Sequence, residues 1–130
     1  MGTLNVNKIA GISGGFDVNV QGEGSATTNL SQGLAKSWLN MNGQSTIAIN
    51  DSFNIASITD VTTGSYGATV SNAMSNTYYV AAGEHSSNGS FSANYRIMPS
   101  TTSYYVFFTQ AGNAAEDAAT ITVMQGGSLA

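Results

Sequence analysis

Alternation of apolar and polar side chains along short runs is the feature that most restricts how this chain folds. Phe16, Val18 and Val20 alternate with Asp17 and Asn19, for example. Because successive side chains of a β-strand point to opposite faces of the sheet, a period of two predicts strands. Further runs interpreted as strands are 4–6, 35–41, 47–57, 66–70, 78–82, 91–98, 104–109 and 119–124. Their spacing of roughly 10 to 14 residues predicts an all-β fold, an antiparallel β-sandwich of jelly-roll type.

The strand that contains Trp38 is predicted to carry Leu39 and Met41 on one face and the tryptophan on the other. Trp38 is expected in the core, because it alternates with Lys36 and Asn40 within a strand instead of lying in a loop.

Turn-forming residues divide the strands. Asn42-Gly43 is a strong turn signal, and Asp51-Ser52 is expected to interrupt the strand that begins near Ile47. Residues 60–65 are interpreted as a further turn. Helix is expected only as a single turn within 29–34, with Ser31 as its N-cap.

Composition changes near residue 33. Residues 1–33 are rich in glycine and poor in large apolar side chains, whereas the rest of the 130-residue chain carries ten of the eleven Phe and Tyr residues and the single Trp. We therefore expect an extended N-terminal docking arm over 1–33 and a compact β-sandwich domain over 34–130. The arm is predicted to order on docking, through Leu4 and Val6.

Charge excludes several classes of partner. Only 8% of the residues are charged and the net charge is −4, with Lys8, Lys36 and Arg96 as the basic residues. Three cations cannot neutralise a phosphate backbone, so we expect no nucleic-acid partner. An anionic membrane surface would repel the chain, and no run approaches the roughly 20 apolar residues of a membrane span. The first residues lack the basic and apolar regions of a signal peptide.

Residues able to carry catalysis are sparse. His85 is the only histidine and cysteine is absent, so neither a zinc site nor a cofactor is expected. His85 is interpreted as a solvated loop residue. Asp51 and Asp60 are expected to bond their own backbone beside turns, and the pair at 116–117 to be solvated. No two carboxylates can be placed on either side of one bond, as a glycosidase requires. We therefore predict that the protein is not an enzyme.

Two runs, 78–82 and 104–108, are apolar on both faces, although a solvated antiparallel strand normally has one polar face. Such a run is either a central strand covered on both sides or part of a subunit interface, where aromatic residues are enriched. For the interface we predict Tyr79, Tyr105 and Phe107, with Val80 and Val106 turned towards the core. The low charge content is consistent with a homotrimer built through such surfaces.

Several motifs resemble a known class of proteins. They are the segments 36–43 (KSWLNMNG), 47–60 (IAINDSFNIASITD), 64–66 (GSY), 72–74 (NAM), 78–80 (YYV) and, near the start, 3–9 (TLNVNKI). Over about residues 35–124 the chain resembles β-rich modules in virion proteins of marine and cyanobacterial tailed phages, often found at the ends of tail fibres. The resemblance implies a non-enzymatic, trimeric module on the virion surface, made in the host cytoplasm and released by lysis.

Three functions fit these observations. The first is a structural subunit, such as a capsid decoration, head fibre or knob, docked on other virion proteins by its N-terminal arm. The second is a receptor-binding fibre tip that recognises a host-surface glycan. The third is a small bacterial enzyme or carbohydrate-binding domain. A glycan binder needs exposed aromatic side chains, an enzyme needs clustered carboxylates, and an inert subunit needs no cleft. The absence of a long shaft favours the first.

Overall fold

The computed structural model describes residues 18–21, 25, 27–87, 90–92, 95–99, 101–111 and 114–130. The chain divides into two units, Met1–Leu34 and Ala35–Ala130. Leu4 and Val6, predicted to dock the arm, lie outside the described residues.

The first unit contains a small hairpin. Strands β1 (Asn19–Gln21) and β2 (Thr27–Asn29) pair antiparallel, and a single helical turn, α1 (Leu30–Gly33), follows directly. The backbone N–H of Leu30 donates to the carbonyl of Val18 at 2.7 Å. The predicted helical turn is therefore present.

The described residues of the second unit form ten strands. They are β3 (Ser37–Asn42), β4 (Ala48–Phe53), β5 (Ile55–Thr62), β6 (Ser65–Val70), β7 (Val80–Ser87), β8 (Ser90–Ser92), β9 (Tyr95–Pro99), β10 (Tyr104–Ala111), β11 (Ala114–Ala115) and β12 (Thr120–Gly126). These strands form two sheets. Sheet I has the order β11-β10-β6-β5, with β9 paired to β10, and sheet II has the order β4-β3-β12-β7-β8. Every pairing is antiparallel, which confirms the all-β prediction.

One hydrophobic cluster draws side chains from both sheets. In sheet I the rings of Tyr66 and Phe107 stack with centroids 5.6 Å apart, and Tyr105 lies 5.9 Å from Phe107. Sheet II contributes the aliphatic side chains of β3 and β12. The buried members are Leu39, Met41, Tyr66, Ala68, Val70, Met74, Tyr79, Tyr105, Phe107, Ala118, Ile121 and Val123. As predicted, Leu39 and Met41 share one face of β3.

The aromatic residues predicted at a subunit interface lie inside the chain. Tyr79, Tyr105 and Phe107 are all buried, the last two at 1% exposure. Val80, predicted to face the core, is 72% exposed, and Val106 is partly buried. The interface position is corrected accordingly. Alternation shows that Tyr79 and Val80 occupy opposite faces, but it cannot tell which face is inside when both residues are apolar.

Two turns differ from the sequence prediction. Asp51 and Ser52 lie within β4, and the chain leaves sheet II for sheet I at Asn54, whose φ of 58° only a few residue types tolerate. Its amide donates to the carbonyls of Lys36 and Asn72, at 2.9 and 3.1 Å. These bonds stabilise the left-handed corner.

The turn predicted over 60–65 is shorter in the structure. Strand β5 continues to Thr62, which pairs with Ser65, so only Thr63 and Gly64 form the loop. Gly64 has a φ of 67°, which favours glycine. A Cβ there would also lie 2.7 Å from the backbone of Thr109 and Glu116.

A buried polar contact anchors the loop before β12. Asp117 Oδ1 accepts hydrogen bonds from the Tyr66 hydroxyl and the Gly64 N–H, each at 2.8 Å. The Tyr66 hydroxyl also lies 2.9 Å from the carbonyl oxygen of Gly43. Burial, together with the Asp117 carboxylate, raises the pKa of Tyr66 above its ordinary value. Asp117, expected to be solvated, is therefore a structural acceptor.

Candidate functional site

The face of sheet II opposite the core carries an exposed line of apolar side chains, which we name the apolar row. Trp38 pairs with Phe53 on one side and with Met124 on the other, and Met124 pairs with Ala82. Directly paired residues of antiparallel strands share a face, so the four side chains cross β4, β3, β12 and β7 in one line. Phe53 and Met124 are each 52% exposed and Trp38 is 36% exposed.

A second line of side chains, the polar row, lies beside the first. Asn40 pairs with Asp51 and with Thr122, and Thr122 pairs with Glu84. The two rows are two residues apart along each strand, which corresponds to about 6.7 Å. The same face is thus apolar on one side and polar on the other.

A cavity of about 420 Å³ opens where the two rows meet. It extends over β3, β12 and β7. Its described lining residues are Trp38, Leu39, Asn40, Ala82, Gly83, Glu84, Thr122, Val123 and Met124. Ligand pockets of proteins commonly measure about 300 to 1,000 Å³, so the cavity has the size of a small-molecule site.

Local hydrogen bonds and a β-bulge position the polar row. The register between β3 and β4 shifts after Asn40, which leaves Asn50 as an extra residue on β4. The Asn50 amide donates to Asn40 Oδ1 at 2.8 Å, and the Asn40 side chain is held by this bond. On the neighbouring strands, the Thr122 hydroxyl lies 3.4 Å from the carbonyl oxygen of Glu84.

Gly83 allows β7 to lie close against β12 beneath the cavity. A Cβ at this position would lie 2.0 Å from the carbonyl oxygen of Thr122 and 3.0 Å from the Val123 Cα. These neighbours are backbone atoms that cannot rotate away, so only glycine fits without a shift of the strand. The close approach fixes the distance between the side chains of β7 and β12 that line the cavity.

The structure corrects the expectation that Trp38 is a core residue. The strand assignment is right, but the ring lies on the solvent side of sheet II, and Leu39 and Met41 take the core side. The alternation along β3 correctly predicted that Trp38 lies on the face opposite Leu39 and Met41. Sequence reasoning nevertheless missed Ala82, Glu84, Thr122 and Met124 as neighbours of Trp38, because the register that unites β3, β12 and β7 joins distant parts of the chain.

His85 is also placed differently from its prediction. It lies within β7 and is 1% exposed, whereas a solvated loop was expected. The Gly, Ser and Asn residues around it have turn-forming composition, but pairing with β12 and β8 makes the segment a strand. Its neighbour Glu84 points to the opposite, exposed face and lines the cavity.

The remaining acidic residues are dispersed. Asp51 and Asp60 are exposed within strands, and the Asp51 carboxylate accepts the N–H of Ser52 at 2.8 Å. Within the described ranges, no group of three or more His, Asp or Glu residues is arranged to hold a metal ion. Glu84 is the one carboxylate among the described residues of the cavity wall, and hydrolysis by paired carboxylates needs two.

Comparison with protein-family models, curated proteins and solved structures gave no match to this chain. In the part of the chain that the structure describes, no helix has the length and apolarity needed to cross a membrane.

Proposed function

We propose that this chain is a non-enzymatic module on the surface of a tailed-phage particle, and that it binds a glycan of the host-cell surface. The resemblance over residues 35–124 supports the location on a virion. The exposed Trp38 in a cavity beside the polar row supports the binding role, and this observation carries the proposal. Exposed aromatic side chains next to hydrogen-bonding groups are what a glycan binder needs and an inert subunit does not.

A structural role as a decoration, head-fibre or knob subunit is the second candidate. Tyr78 is 91% exposed and Val80 is 72% exposed, which fits a contact between copies or with another virion protein. For this structural role we propose a homotrimer. Its subunits would contact one another through Tyr78 and Val80 instead of through the buried aromatic residues.

The proposal includes a finer architecture. The two sheets would stack as a jelly-roll-like sandwich around the shared hydrophobic cluster, and residues 1–33 would form the arm that docks on neighbouring virion proteins. The cluster supports the stacking, because it draws side chains from both sheets.

The experiment is to locate the protein on purified phage particles with a gold-labelled antibody and then to add the purified protein to host cells before infection. Labelling of a tail structure together with competition for adsorption is the expected result. Labelling without competition would support the structural role and overturn the glycan-binding role. Particles that carry no label would overturn the virion location.

A further inference from the structure

We propose that the cavity on sheet II binds a neutral pyranose ring, which stacks on Trp38 and hydrogen-bonds to the polar row. The inference rests on the proposed binding function and names its ligand class. It follows from three properties of the cavity: its platform, its hydrogen-bonding groups and its charge.

The platform is Trp38 with Met124 beside it. The apolar faces of sugar rings pack on aromatic rings, and tryptophan offers the largest such surface while its indole N–H stays available to a hydroxyl. Trp38 is 36% exposed and is paired across the strands with Phe53 and Met124, so part of its ring remains available to a ligand.

The hydrogen-bonding groups lie one row away. Asn40 offers an amide, Thr122 a hydroxyl and Glu84 a carboxylate, so the row contains both donors and acceptors. Because Asn40 Oδ1 accepts from Asn50, its Nδ2 is the group that remains to donate to a ligand. The row spacing of about 6.7 Å allows one sugar ring to contact Trp38 and the polar row together.

Charge selects neutral sugars over acidic ones. The described residues of the cavity wall include the Glu84 carboxylate and no Lys or Arg, and the Asp51 carboxylate lies further along the same row. A sialylated, sulfated or phosphorylated sugar would bring a like charge next to Glu84 without a cation to pair with. Hydroxyl groups instead donate to the carboxylate.

The composition of the cavity wall favours a sugar over a second copy of the chain. A stable contact between copies needs about 800 Å² on each partner, and the centre of such a contact is usually depleted of charged residues. In the cavity wall, the carboxylate of Glu84 and the polar groups of Asn40 and Thr122 lie beside Trp38. This set of groups matches a small polar ligand with one apolar face.

The single tryptophan of the sequence makes the test direct, because the intrinsic tryptophan fluorescence of the full chain reports on Trp38 alone. The probes are the methyl pyranosides of glucose, galactose, mannose and N-acetylglucosamine, titrated to about 50 mM, with sialyllactose as the acidic comparison. We expect a saturable change in fluorescence with at least one neutral pyranoside and a much weaker response to sialyllactose.

Variants assign the effect to the cavity. Asn40→Ala and Glu84→Ala should each raise the dissociation constant about tenfold, the usual effect of losing one hydrogen bond to a ligand. Tyr78→Ala, at an exposed aromatic residue outside the described cavity lining, is the matched control and should leave binding unchanged. Circular dichroism checks that each variant is folded.

The outcomes separate the ligand class from the function. If no neutral pyranoside changes the fluorescence while the protein still competes for adsorption, the ligand class is wrong and the binding function stands. Equal or tighter binding of sialyllactose would also overturn the class. If the fluorescence changes when the protein concentration is raised without sugar, the face of sheet II that carries Trp38 is a contact between copies of the chain, and the sugar-binding proposal is wrong. Loss of both sugar binding and competition would overturn the proposed function itself.

Discussion

Two apolar regions of the second unit have similar composition and opposite environments. Tyr66, Tyr105 and Phe107 of sheet I are at most 1% exposed and form one ring cluster. Phe53 and Trp38, in the apolar row of sheet II, are 52% and 36% exposed. The first region is the inside of the molecule, and the second is an apolar surface in water.

The difference teaches that large apolar side chains serve two purposes here. The ring cluster removes its surface from water and contributes to folding, at roughly 25 cal/mol per Å² of apolar area buried. In the isolated chain the side chains of the apolar row remain largely exposed to water, so most of this free energy is not gained on folding. It becomes available only when a ligand or partner covers the row, which is what a binding surface requires.

The largest contrast is expected from placing a charge in each region. Phe107→Asp should lower the free energy of unfolding by more than about 4 kcal/mol, because it removes a buried ring and leaves an unpaired charge inside. Phe53→Asp should change it by less than about 1 kcal/mol, because solvent reaches this position. Urea unfolding followed by circular dichroism measures both. Similar losses for the two variants would remove the distinction between the regions.

The next largest effect on stability is expected at Gly83, where the backbones of β7 and β12 lie close together. Gly83→Ala should lower the free energy of unfolding by about 2 kcal/mol or more, since the added Cβ would meet the Thr122 carbonyl oxygen at 2.0 Å and force β7 away from β12. Gly126→Ala is the matched control on the adjacent strand, because the nearest atom that its Cβ would meet among the described residues is a Val80 methyl group at 3.4 Å. It should unfold like the wild-type chain. A wild-type unfolding curve for Gly83→Ala would contradict the close approach.

Two tyrosines of the ring cluster separate packing from hydrogen bonding. Tyr66→Phe should cost about 2 kcal/mol, because the hydroxyl that donates to Asp117 is lost. Tyr105→Phe should be neutral or slightly stabilising, because its buried hydroxyl has no hydrogen-bond partner among the residues that the structure describes. Thermal unfolding at neutral pH compares them. The prediction fails if Tyr105→Phe is the more destabilising of the two.

Alkaline pH should act on the same two residues. Burial raises the pKa of Tyr66, reinforced by Asp117, and burial followed by repulsion from Tyr79 raises the pKa of Tyr105. Because both pKa values in the folded chain exceed the unfolded value of about 10, stability is fully present below pH 10 and declines as the pH rises further. Each tyrosine should contribute a decline of about 1.4 kcal/mol per pH unit above that point.

Urea unfolding between pH 8 and pH 11 measures the decline. The double variant with phenylalanine at 66 and 105 should show a much flatter dependence on pH. Phe53→Ser, which changes a residue outside the ring cluster, is the control and should keep the wild-type slope. An unchanged slope in the double variant would show that other groups carry the alkaline transition.

The positions of the strands could be predicted from the sequence. Which face of each strand is buried could be predicted only for some strands. Around Leu39 and Met41 one face is apolar and the alternation places them correctly. At Tyr79 and Val80 both residues are apolar, so the pattern contains no signal for the buried face, and the interface was assigned to side chains that lie in the core. The decision depends on the neighbouring strand, which alternation along one strand does not describe.

The candidate site could not be assembled from the sequence for a related reason. The sequence predicts Trp38 in a strand and on the face opposite Leu39. It also predicts a loop at His85, because Gly83 and the Ser residues after His85 resemble a turn, and this loop excludes the adjacent Glu84 from the sheet. In the structure Gly83 lies within β7, where the close approach of the β12 backbone leaves no room for a Cβ. This requirement comes from β12, almost 40 residues further along the chain, as the Thr122 to Glu84 separation of 38 positions shows.

The central position of β12 in sheet II sets the order in which a growing chain can complete its fold. Ser37 on β3 and Gln125 on β12 are hydrogen-bonded although they are 88 positions apart. A ribosome that adds about 5 to 20 residues per second needs roughly 4 to 18 s to cover that distance, and β3 lacks its neighbour β12 for this time. Non-local pairing of this kind also slows folding itself. Because the cavity spans β3, β7 and β12, it cannot form before β12 has been synthesised, and nascent chains that lack β12 should lack the cavity.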